Sequence, residues 1–225
     1  MTRGLFVTGT DTGVGKTLVS CALLRAYAAR GLRAAGMKPV AAGARPEAGR
    51  LVNDDVVALT AAGNVRVPAD LLNPYCFGPA IAPHIAADLA GVMIDFARVA
   101  DALRTLASLA DRVVVEGAGG FRVPLSTDRD MADLAVALAL PVVMVVGMRL
   151  GCLNHALLTA EAVRARGLPL HSWVANHVVP AMPYADENVA ALEARLGAPL
   201  LARIDYDPLA GSARIACELR GDLLQ

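Results

Sequence analysis

Six short runs of apolar residues recur along the chain, and most of them lack the strict alternation of a half-buried strand. Continuous apolarity is typical of a parallel strand whose two faces are both covered by helices. The runs therefore predict six strands, at Leu5–Thr8, Arg33–Lys38, Arg112–Glu116, Val142–Gly147, Leu170–Asn176 and Leu200–Ile204.

Longer segments with helical spacing of apolar residues lie between these runs. They predict helices at Lys16–Arg30, Asp54–Ala62, Asp95–Leu109, Asp130–Leu140, Cys152–Arg166 and Tyr184–Leu196. The alternation of strands and helices predicts a three-layer α/β domain, with a mainly parallel central sheet and helices on both faces. Ligands bind beyond the carboxyl ends of the strands in such sheets, so the residues directly after each strand are the functional candidates.

Composition narrows the class of protein. No Ser/Pro/Gly-rich linker or charge block divides the 225 residues, so we expect residues 1–225 to form one domain. The formal net charge of zero predicts no sequence-wide attraction for nucleic acid or for an anionic membrane. Leu134–Met148 is apolar, but it is short for a membrane helix and is interrupted by Pro141.

The cysteines and the N-terminus indicate the compartment. The four cysteines are dispersed without Cys-x-x-Cys spacing, which argues against a zinc site or a disulfide framework. The first residues lack the charged, apolar and small-residue order of a secretory signal. We therefore expect a protein of the reducing cytoplasm.

The segment Thr10–Thr17 follows the first predicted strand and reads Thr-Asp-Thr-Gly-Val-Gly-Lys-Thr. Backbone N–H groups of such a turn converge on phosphate oxygens, and the next helix directs its positive N-terminal end at the same anion. Lys16 would reach the outer phosphates, and the Thr17 hydroxyl would join the coordination shell of a phosphate-bound Mg²⁺. Thr10 stands where the usual pattern has its first glycine, and a small residue there still permits the turn.

Acidic groups near two other strand ends are candidate metal ligands. Glu116 ends a predicted strand and precedes the glycine-rich segment 117–120, so its carboxylate can face Mg²⁺ opposite the phosphate loop. The run Asn53-Asp54-Asp55 opens a predicted helix, where either of the first two residues can serve as the cap. Local chemistry leaves Asp54 and Asp55 as alternative metal ligands.

Lys38 follows the second predicted strand and precedes Pro39, which restricts its backbone to an extended shape. Lys16 and Lys38 are the only lysines of the chain. Together with Mg²⁺ they would supply the positive charge that phosphoryl transfer requires.

Six segments in order resemble the dethiobiotin synthetase family over nearly the whole chain: Gly9–Thr17, Gly36–Val40, Asn73–Tyr75 with Pro83-His84, Val115–Gly120, Gly151–His155 and Trp173–Asn176. The resemblance implies a homodimer that uses ATP, Mg²⁺ and CO₂ to close the cyclic urea of dethiobiotin on 7,8-diaminononanoate (7,8-diaminopelargonic acid) in biotin biosynthesis. ADP and phosphate would be the other products, formed through a carbamate and a carbamic-phosphoric anhydride.

The resemblance also implies roles for individual residues. Lys38 and Lys16 would be catalytic, Asn176 would read the adenine edge, and Asp55 is favoured over Asp54 by its spacing from Lys38. The nucleotide and its metal would contact Thr12, Gly13, Val14, Gly15, Lys16, Thr17, Asp55, Glu116, Gly119 and Asn176. The Mg²⁺ ligands would be Thr17, Asp55 and Glu116. The diamine substrate would contact Thr12, Lys38, Ala42, Gly151 and Asn154, with Gly151–Asn154 meeting its carboxylate across the dimer interface.

Some positions depart from the family pattern. Gly13 stands where some members have an acidic residue, and Ala42 replaces a small hydroxyl residue of the substrate region. Ala80 and Ala82 also differ, as does Asp205, where a proline often precedes the base-binding loop.

Three other functions stay open at this point. A dimeric P-loop switch ATPase shares the predicted sheet and loop, but it carries a second lysine where this chain has Asp11. An amidotransferase-linked ligase would need a glutaminase domain with a nucleophilic cysteine, which the sequence does not indicate. An inactive module would bind ATP without turnover.

Overall fold

The computed structural model describes residues 4–207, 209 and 211–224. Six strands form its main sheet: β1 (Gly4–Gly9), β2 (Ala34–Met37), β7 (Arg112–Gly120), β8 (Val142–Met148), β9 (Leu170–His177) and β10 (Leu200–Ile204). Four short strands form two small sheets: β3 (Val40–Ala41) with β6 (Tyr75–Cys76), and β4 (Arg45–Glu47) with β5 (Arg50–Val52).

The helices are α1 (Lys16–Ala29), α2 (Asp54–Ala62), α3 (Ala69–Leu72), α4 (Pro83–Leu89), α5 (Phe96–Leu109), α6 (Met131–Leu138), α7 (Cys152–Ala165), α8 (Ala185–Leu196) and α9 (Ser212–Glu218), followed by a 3₁₀ turn at Gly221–Leu223. No helix in the described part of the chain is long and apolar enough to cross a membrane.

The main sheet has the strand order β10-β9-β8-β1-β7-β2, and every recorded pairing in it is parallel. All six carboxyl ends therefore lie at the same edge. In the sheet register Met37 of β2 pairs with Val115, and Val7 of β1 pairs with Glu116. This register brings the phosphate loop, Lys38 and Glu116 to neighbouring positions at that edge.

Hydrophobic residues cover both faces of the sheet, as the continuous apolar runs predict. Successive residues of β1 alternate between two cores: Leu5 and Val7 pack in the core that includes α1 and α9, while Phe6 packs in the core that includes α5 and α6. A third cluster joins β8 and β9 to α7 and α8 around the fully buried Trp173. The predicted three-layer α/β fold is confirmed.

The predicted element bounds need two corrections. Strand β7 continues to Gly120, because Gly9 of β1 pairs with Gly120 beyond a register shift, so the glycine-rich segment 117–120 belongs to the strand that was predicted to end at Glu116. Helix α6 ends at Leu138, because Ala139 takes a left-handed conformation (φ 52°) before Pro141. The short strands, α3, α4 and α9 have no counterpart among the predicted elements.

Candidate active site

The loop between β1 and α1 has the shape of a phosphate cradle. Gly15 precedes the first residue of α1 and has φ +91°, a left-handed conformation that L side chains rarely adopt. A Cβ at Gly15 would lie 2.2 Å from Nδ2 of Asn176, and this nitrogen donates a hydrogen bond of 2.8 Å to the Val14 carbonyl. Asn176 thus holds the loop from β9, and the close approach requires glycine.

Lys16 begins α1 and is only 7% exposed. Its ammonium donates to the carbonyl of Asp11 at 3.1 Å. Burial, followed by the nearby charge of Lys38, lowers the pKa of Lys16 to about 8, against the opposing attraction of Glu116, Asp55 and Asp11. The chain therefore holds a partly desolvated cation at the mouth of the loop, where an anionic ligand would stabilise its charged form.

A second buried cation, Lys38, lies between two carboxylates. Its Nζ is 2.6 Å from Oε1 of Glu116 and 2.9 Å from Oδ2 of Asp55, and it is 3.3 Å from the Gly117 carbonyl oxygen. Lys38 is 5% exposed and Glu116 is 1% exposed, so this ion pair is shielded from water. Asn73 fixes the backbone here, since its Nδ2 donates to the Lys38 carbonyl at 2.6 Å.

The charge states of these groups follow from their surroundings. Burial alone would lower the pKa of Lys38, but the attraction of Glu116 and Asp55 outweighs it and raises the pKa above its ordinary value. Burial would also raise the pKa of Asp55, but the Lys38 charge and hydrogen bonds from Lys38 and Thr17 hold it below its usual value. At neutral pH Lys38 is an ammonium and Asp55 is a carboxylate.

The start of α2 separates the two candidate aspartates. Asn53 is the N-cap, because its side-chain oxygen accepts from the backbone N–H of Asp55 at 3.1 Å. Asp54 forms an ion pair with Arg45 at the surface, and its side chain is 85% exposed. Asp55 instead faces the cavity, where its Oδ1 accepts from the Thr17 hydroxyl at 2.8 Å.

The oxygen atoms of Thr17, Asp55 and Glu116 fit a hard cation. Oγ1 of Thr17 is 2.8 Å from Oδ1 of Asp55 and 2.9 Å from Oε1 of Glu116. Oε2 of Glu116 is buried and has no hydrogen-bond partner among the described residues. The described residues contain no cluster of three His, Cys, Asp or Glu ligands. Two carboxylates and a hydroxyl match the way Mg²⁺ binds with nucleotide phosphates, which provide further oxygen ligands.

These groups open onto a cavity of about 830 Å³ at the carboxyl edge of the sheet. Its walls include most of the predicted site residues, namely Thr12, Gly13, Gly15, Lys16, Thr17, Lys38, Ala42, Asp55, Glu116 and Gly119. Gly119 adopts φ +61°, and a Cβ there would lie 2.7 Å from Val123 and 3.5 Å from the Thr12 hydroxyl. The positive φ and the close approach of Val123 therefore require glycine at this position, whereas the distance to Thr12 is an ordinary contact.

Four predicted residues lie outside this cavity wall. Val14 is a buried residue of the phosphate loop, and Asn176 contacts this loop by donating a hydrogen bond to the Val14 carbonyl. Gly151 and Asn154 are exposed at the start of α7. Their predicted contact with a substrate in another subunit is not tested by one chain.

Part of the cavity wall is apolar and includes residues without a predicted role. Ile81, Ala82 and Pro83 line one side just before and at the start of α4, and Ala118 and Val123 line another. The sequence signals near this wall are the Pro83-His84 motif and the departures from the family pattern at Ala42, Ala80 and Ala82. Ile81 and Val123 carry no motif of their own, because an apolar residue in a loop has no spacing that marks it as part of a cavity.

Comparison with known proteins gives consistent relatives. A family model described as an AAA domain matches residues 3–214. The chain is 54% identical over 218 residues to an ATP-dependent dethiobiotin synthetase BioD of Aromatoleum aromaticum (strain DSM 19018 / LMG 30748 / EbN1), covering 97% of each chain. It is 56% identical over 204 residues to one of Janthinobacterium sp. (strain Marseille), covering 89% of this chain and 86% of that one.

Solved structures resemble the fold at low sequence identity. The septum site-determining protein MinD of Pyrococcus horikoshii OT3, complexed with Mg-ADP, has a TM-score of 0.60 at 18% identity, covering 95% of this chain and 86% of that one. A ParA family ATPase of Chlorobium tepidum TLS has a TM-score of 0.54 at 15% identity, covering 100% and 96%. At these identities the likeness concerns the fold alone.

Proposed function

The chain belongs to the ATP-dependent dethiobiotin synthetase family. We propose that its cavity converts 7,8-diaminononanoate, CO₂ and ATP to dethiobiotin, ADP and phosphate. One observation supports this chemistry above the others. Two buried ammonium groups, Lys16 and Lys38, meet two carboxylates and a hydroxyl at the edge of a single cavity. Such a site suits a reaction in which negative charge moves between oxygen atoms.

The bond changes follow from the reactants. One amine of the substrate takes up CO₂ as a carbamate, whose oxygen attacks the γ-phosphorus of ATP and releases ADP. The second amine then attacks the carbonyl carbon, closes the ring and releases phosphate. The protein contributes by holding the two amines beside the phosphoryl group and by matching its charge, with no covalent bond to a side chain.

Different residues bind the phosphates, stabilise the reacting groups and contact the diamine. The N-terminal end of α1 and Lys16 bind the phosphates, and Lys16 offsets charge on their outer oxygens. Lys38 stabilises the carbamate and the transferring phosphoryl group. Thr12 and the wall at Ala42 lie where the diamine can approach Lys38. Ala42 has no side-chain donor, so backbone groups and Thr12 supply the polar contacts there.

We propose Thr17, Asp55 and Glu116 as the Mg²⁺ ligands. Two observations support this assignment: Oε2 of Glu116 is buried without a hydrogen-bond partner in the described part of the chain, and Thr17 lies at short distances from both carboxylates. When bound, Mg²⁺ supplies positive charge to the β- and γ-phosphate oxygens. Asp55 and Glu116 are the same carboxylates that Lys38 contacts, so the ammonium and the metal compete for them.

We also propose a homodimer in which each active site uses both subunits. Gly151 and Asn154 are exposed and lie outside the cavity wall of their own chain. This position supports a role for them toward the substrate carboxylate of the second subunit, at the N-terminal end of α7. Asn176 lies beside the phosphate loop at the end of β9, which suits contact with the adenine.

Residues 1–225 act in this proposal as one ligase domain in the cytoplasm. The four cysteines are free thiols, which fits a reducing compartment. A switch ATPase function is not favoured, because Asp11 stands where that class carries its second lysine, and because the likeness to ParA and MinD concerns fold alone.

The proposal is tested by phosphate release from Mg·ATP with and without 7,8-diaminononanoate and bicarbonate, with mass spectrometry for dethiobiotin. We expect phosphate and dethiobiotin in equal amounts, and neither when the diamine is omitted. Phosphate release that is indifferent to the diamine would support a switch ATPase. ATP binding without turnover would support an inactive module.

A further inference from the structure

The phosphate loop contains a negatively charged residue, Asp11, although its proposed ligand, ATP, is also negatively charged. Oδ1 of Asp11 accepts from the backbone N–H of Thr12 at 2.7 Å, and its carbonyl accepts from the Lys16 ammonium at 3.1 Å. The Asp11 carboxylate therefore lies among the groups that would bind a polyphosphate. A negative charge without a neutralising partner in this loop would repel the polyphosphate and weaken its binding.

Arg149 lies beside this carboxylate. It follows β8 directly, and its Nη2 is 2.6 Å from Oδ2 of Asp11, although the two residues are 138 positions apart in sequence. The loop is held to the same strand by the N–H of Thr10, which donates to the Val145 carbonyl at 3.0 Å. The two Asp11 oxygens are thus divided between Thr12 and Arg149.

We propose that Arg149 is a positioning residue for the nucleotide: it neutralises Asp11 and keeps one carboxylate oxygen turned toward β8. The proposal rests on the function above only in taking ATP as the ligand. The side chains of Arg149 and Asp11 are 42% and 47% exposed, so this pair contributes little to the stability of the fold. We expect the ion pair to affect the affinity for ATP instead, because the phosphates bring several negative charges to the same loop.

The test is a double-mutant cycle read by titration with a fluorescent ATP analogue, mant-ATP, in the presence of Mg²⁺. Arg149→Ala should weaken binding roughly tenfold at low salt, and less at high salt. Arg149→Lys should retain most of the affinity, because it keeps the charge. Asp11→Asn with Arg149→Ala should bind about as tightly as the unchanged protein, because the carboxylate and the cation that neutralises it are removed together.

Arg33→Ala is the matched control. Arg33 also forms an exposed ion pair, with Asp111 at 2.9 Å, but it directly precedes β2, at the edge of the sheet opposite the carboxyl ends. Its loss should leave mant-ATP affinity unchanged. In steady-state assays Arg149→Ala should raise KM for ATP and leave kcat within about twofold, a split that a general loss of folded protein does not produce.

The results of these experiments test the role of Arg149 separately from the proposed formation of dethiobiotin. If Arg149→Ala binds mant-ATP as tightly as the unchanged protein, the role of Arg149 is wrong, even when dethiobiotin is formed. If the double variant stays as weak as Arg149→Ala, charge neutralisation is wrong. If the unchanged protein binds mant-ATP and shows the predicted cycle but makes no dethiobiotin, the role of Arg149 stands and the proposed reaction fails.

Discussion

Some buried side chains at the carboxyl edge of the sheet remain charged because they contact groups of opposite charge. Lys38 remains an ammonium at 5% exposure because Glu116 and Asp55 lie within 2.9 Å of it. Removing one member of such a buried pair leaves the other without compensation, typically at about 3–5 kcal/mol. Variants at Lys38 therefore need a measure of folding beside a measure of turnover.

For Lys38→Met we expect dethiobiotin formation to fall by about 10²- to 10³-fold, because one cation is lost from the developing phosphoryl charge. Mn²⁺ affinity, measured by electron paramagnetic resonance with ADP present, should be at least that of the unchanged protein, because the ammonium no longer competes for Asp55 and Glu116. Lys38→Arg is the control that keeps the charge. Turnover near that of the unchanged protein in Lys38→Met would remove Lys38 from the reaction.

Asp54 and Asp55 are a matched pair of neighbours for testing the metal site. Asp55→Asn should raise the Mg²⁺ concentration needed for half-maximal activity by more than about tenfold, since even outer partners of metal ligands contribute this much. Asp54→Asn should leave it unchanged, because that side chain is 85% exposed and pairs with Arg45. The opposite result for the two variants would show that the metal ligand was assigned to the wrong residue.

Much of this site was predictable at the residue scale, for an identifiable reason. The phosphate loop and Lys38 each follow a strand, Glu116 ends the predicted third strand, and parallel strands bring such residues to one edge. Residue chemistry alone left Asp54 and Asp55 open, because the direction of a side chain in the first turn of a helix depends on where the cap lies. The pairing of Arg149 with Asp11 has no local signal, since the partners are joined only through the sheet.

At the scale of elements, the loop before α1 depends on its contact with the end of β9. Gly15 takes φ +91° and packs against the Asn176 amide, which in turn binds the Val14 carbonyl. Strand β9 therefore supports a loop that lies more than 150 positions earlier in the sequence. The prediction that Asn176 reads adenine is compatible with this contact, because an amide has several hydrogen-bonding positions.

Gly15→Ala should lower the free energy of unfolding in urea by more than Gly31→Ala does. Both glycines have positive φ, which strains an alanine by about 1–3 kcal/mol, but a Cβ at Gly31 meets no atom within 4 Å. In an Asn176→Ala background the difference between the two substitutions should shrink, because the clashing amide is gone. An unchanged difference would mean that Asn176 does not restrict Gly15.

The long strands and helices were predictable because a pattern of apolar residues can be recognised only over several positions. Each of the six main strands and six longer helices has enough residues to show a continuous apolar run or a helical spacing. The two-residue strands β3 and β6 have no period, and they form because Val40 and Tyr75 pair across 35 positions. The wall near Ala42 and Ile81 depends on such short elements, so the substrate side of the cavity was the less predictable side.

At the scale of the whole molecule, the start of α7 is one of the places where the described chain exposes large apolar side chains. Leu150 is 98% exposed next to Gly151, and Leu158 farther along α7 is 57% exposed. Exposed apolar residues beside a segment with a proposed substrate contact are consistent with an interface between subunits. The proposed dimer would cover them and complete the site.

Mixed dimers test whether the site is shared. Lys38→Met and Asn154→Asp should each be nearly inactive, the second because a new carboxylate repels that of the substrate. If the two residues belong to different subunits of one site, refolding the variants together should restore about a quarter of the activity, since half of the dimers then carry one intact site. Lys38→Met with Lys16→Met is the control, because both residues line the same cavity and no intact site can form. Equal failure of both mixtures would contradict a shared site.

The fate of an oxygen atom of CO₂ tests directly whether the γ-phosphoryl group is transferred to the carbamate. If a carbamate oxygen attacks the γ-phosphorus, that oxygen leaves with the phosphate when the ring closes. Bicarbonate labelled with ¹⁸O, in a single turnover quenched before exchange with water, should therefore give phosphate that carries one ¹⁸O atom for each dethiobiotin formed. Dethiobiotin accompanied by unlabelled phosphate would contradict phosphoryl transfer to the carbamate, and with it the role assigned to the two lysines.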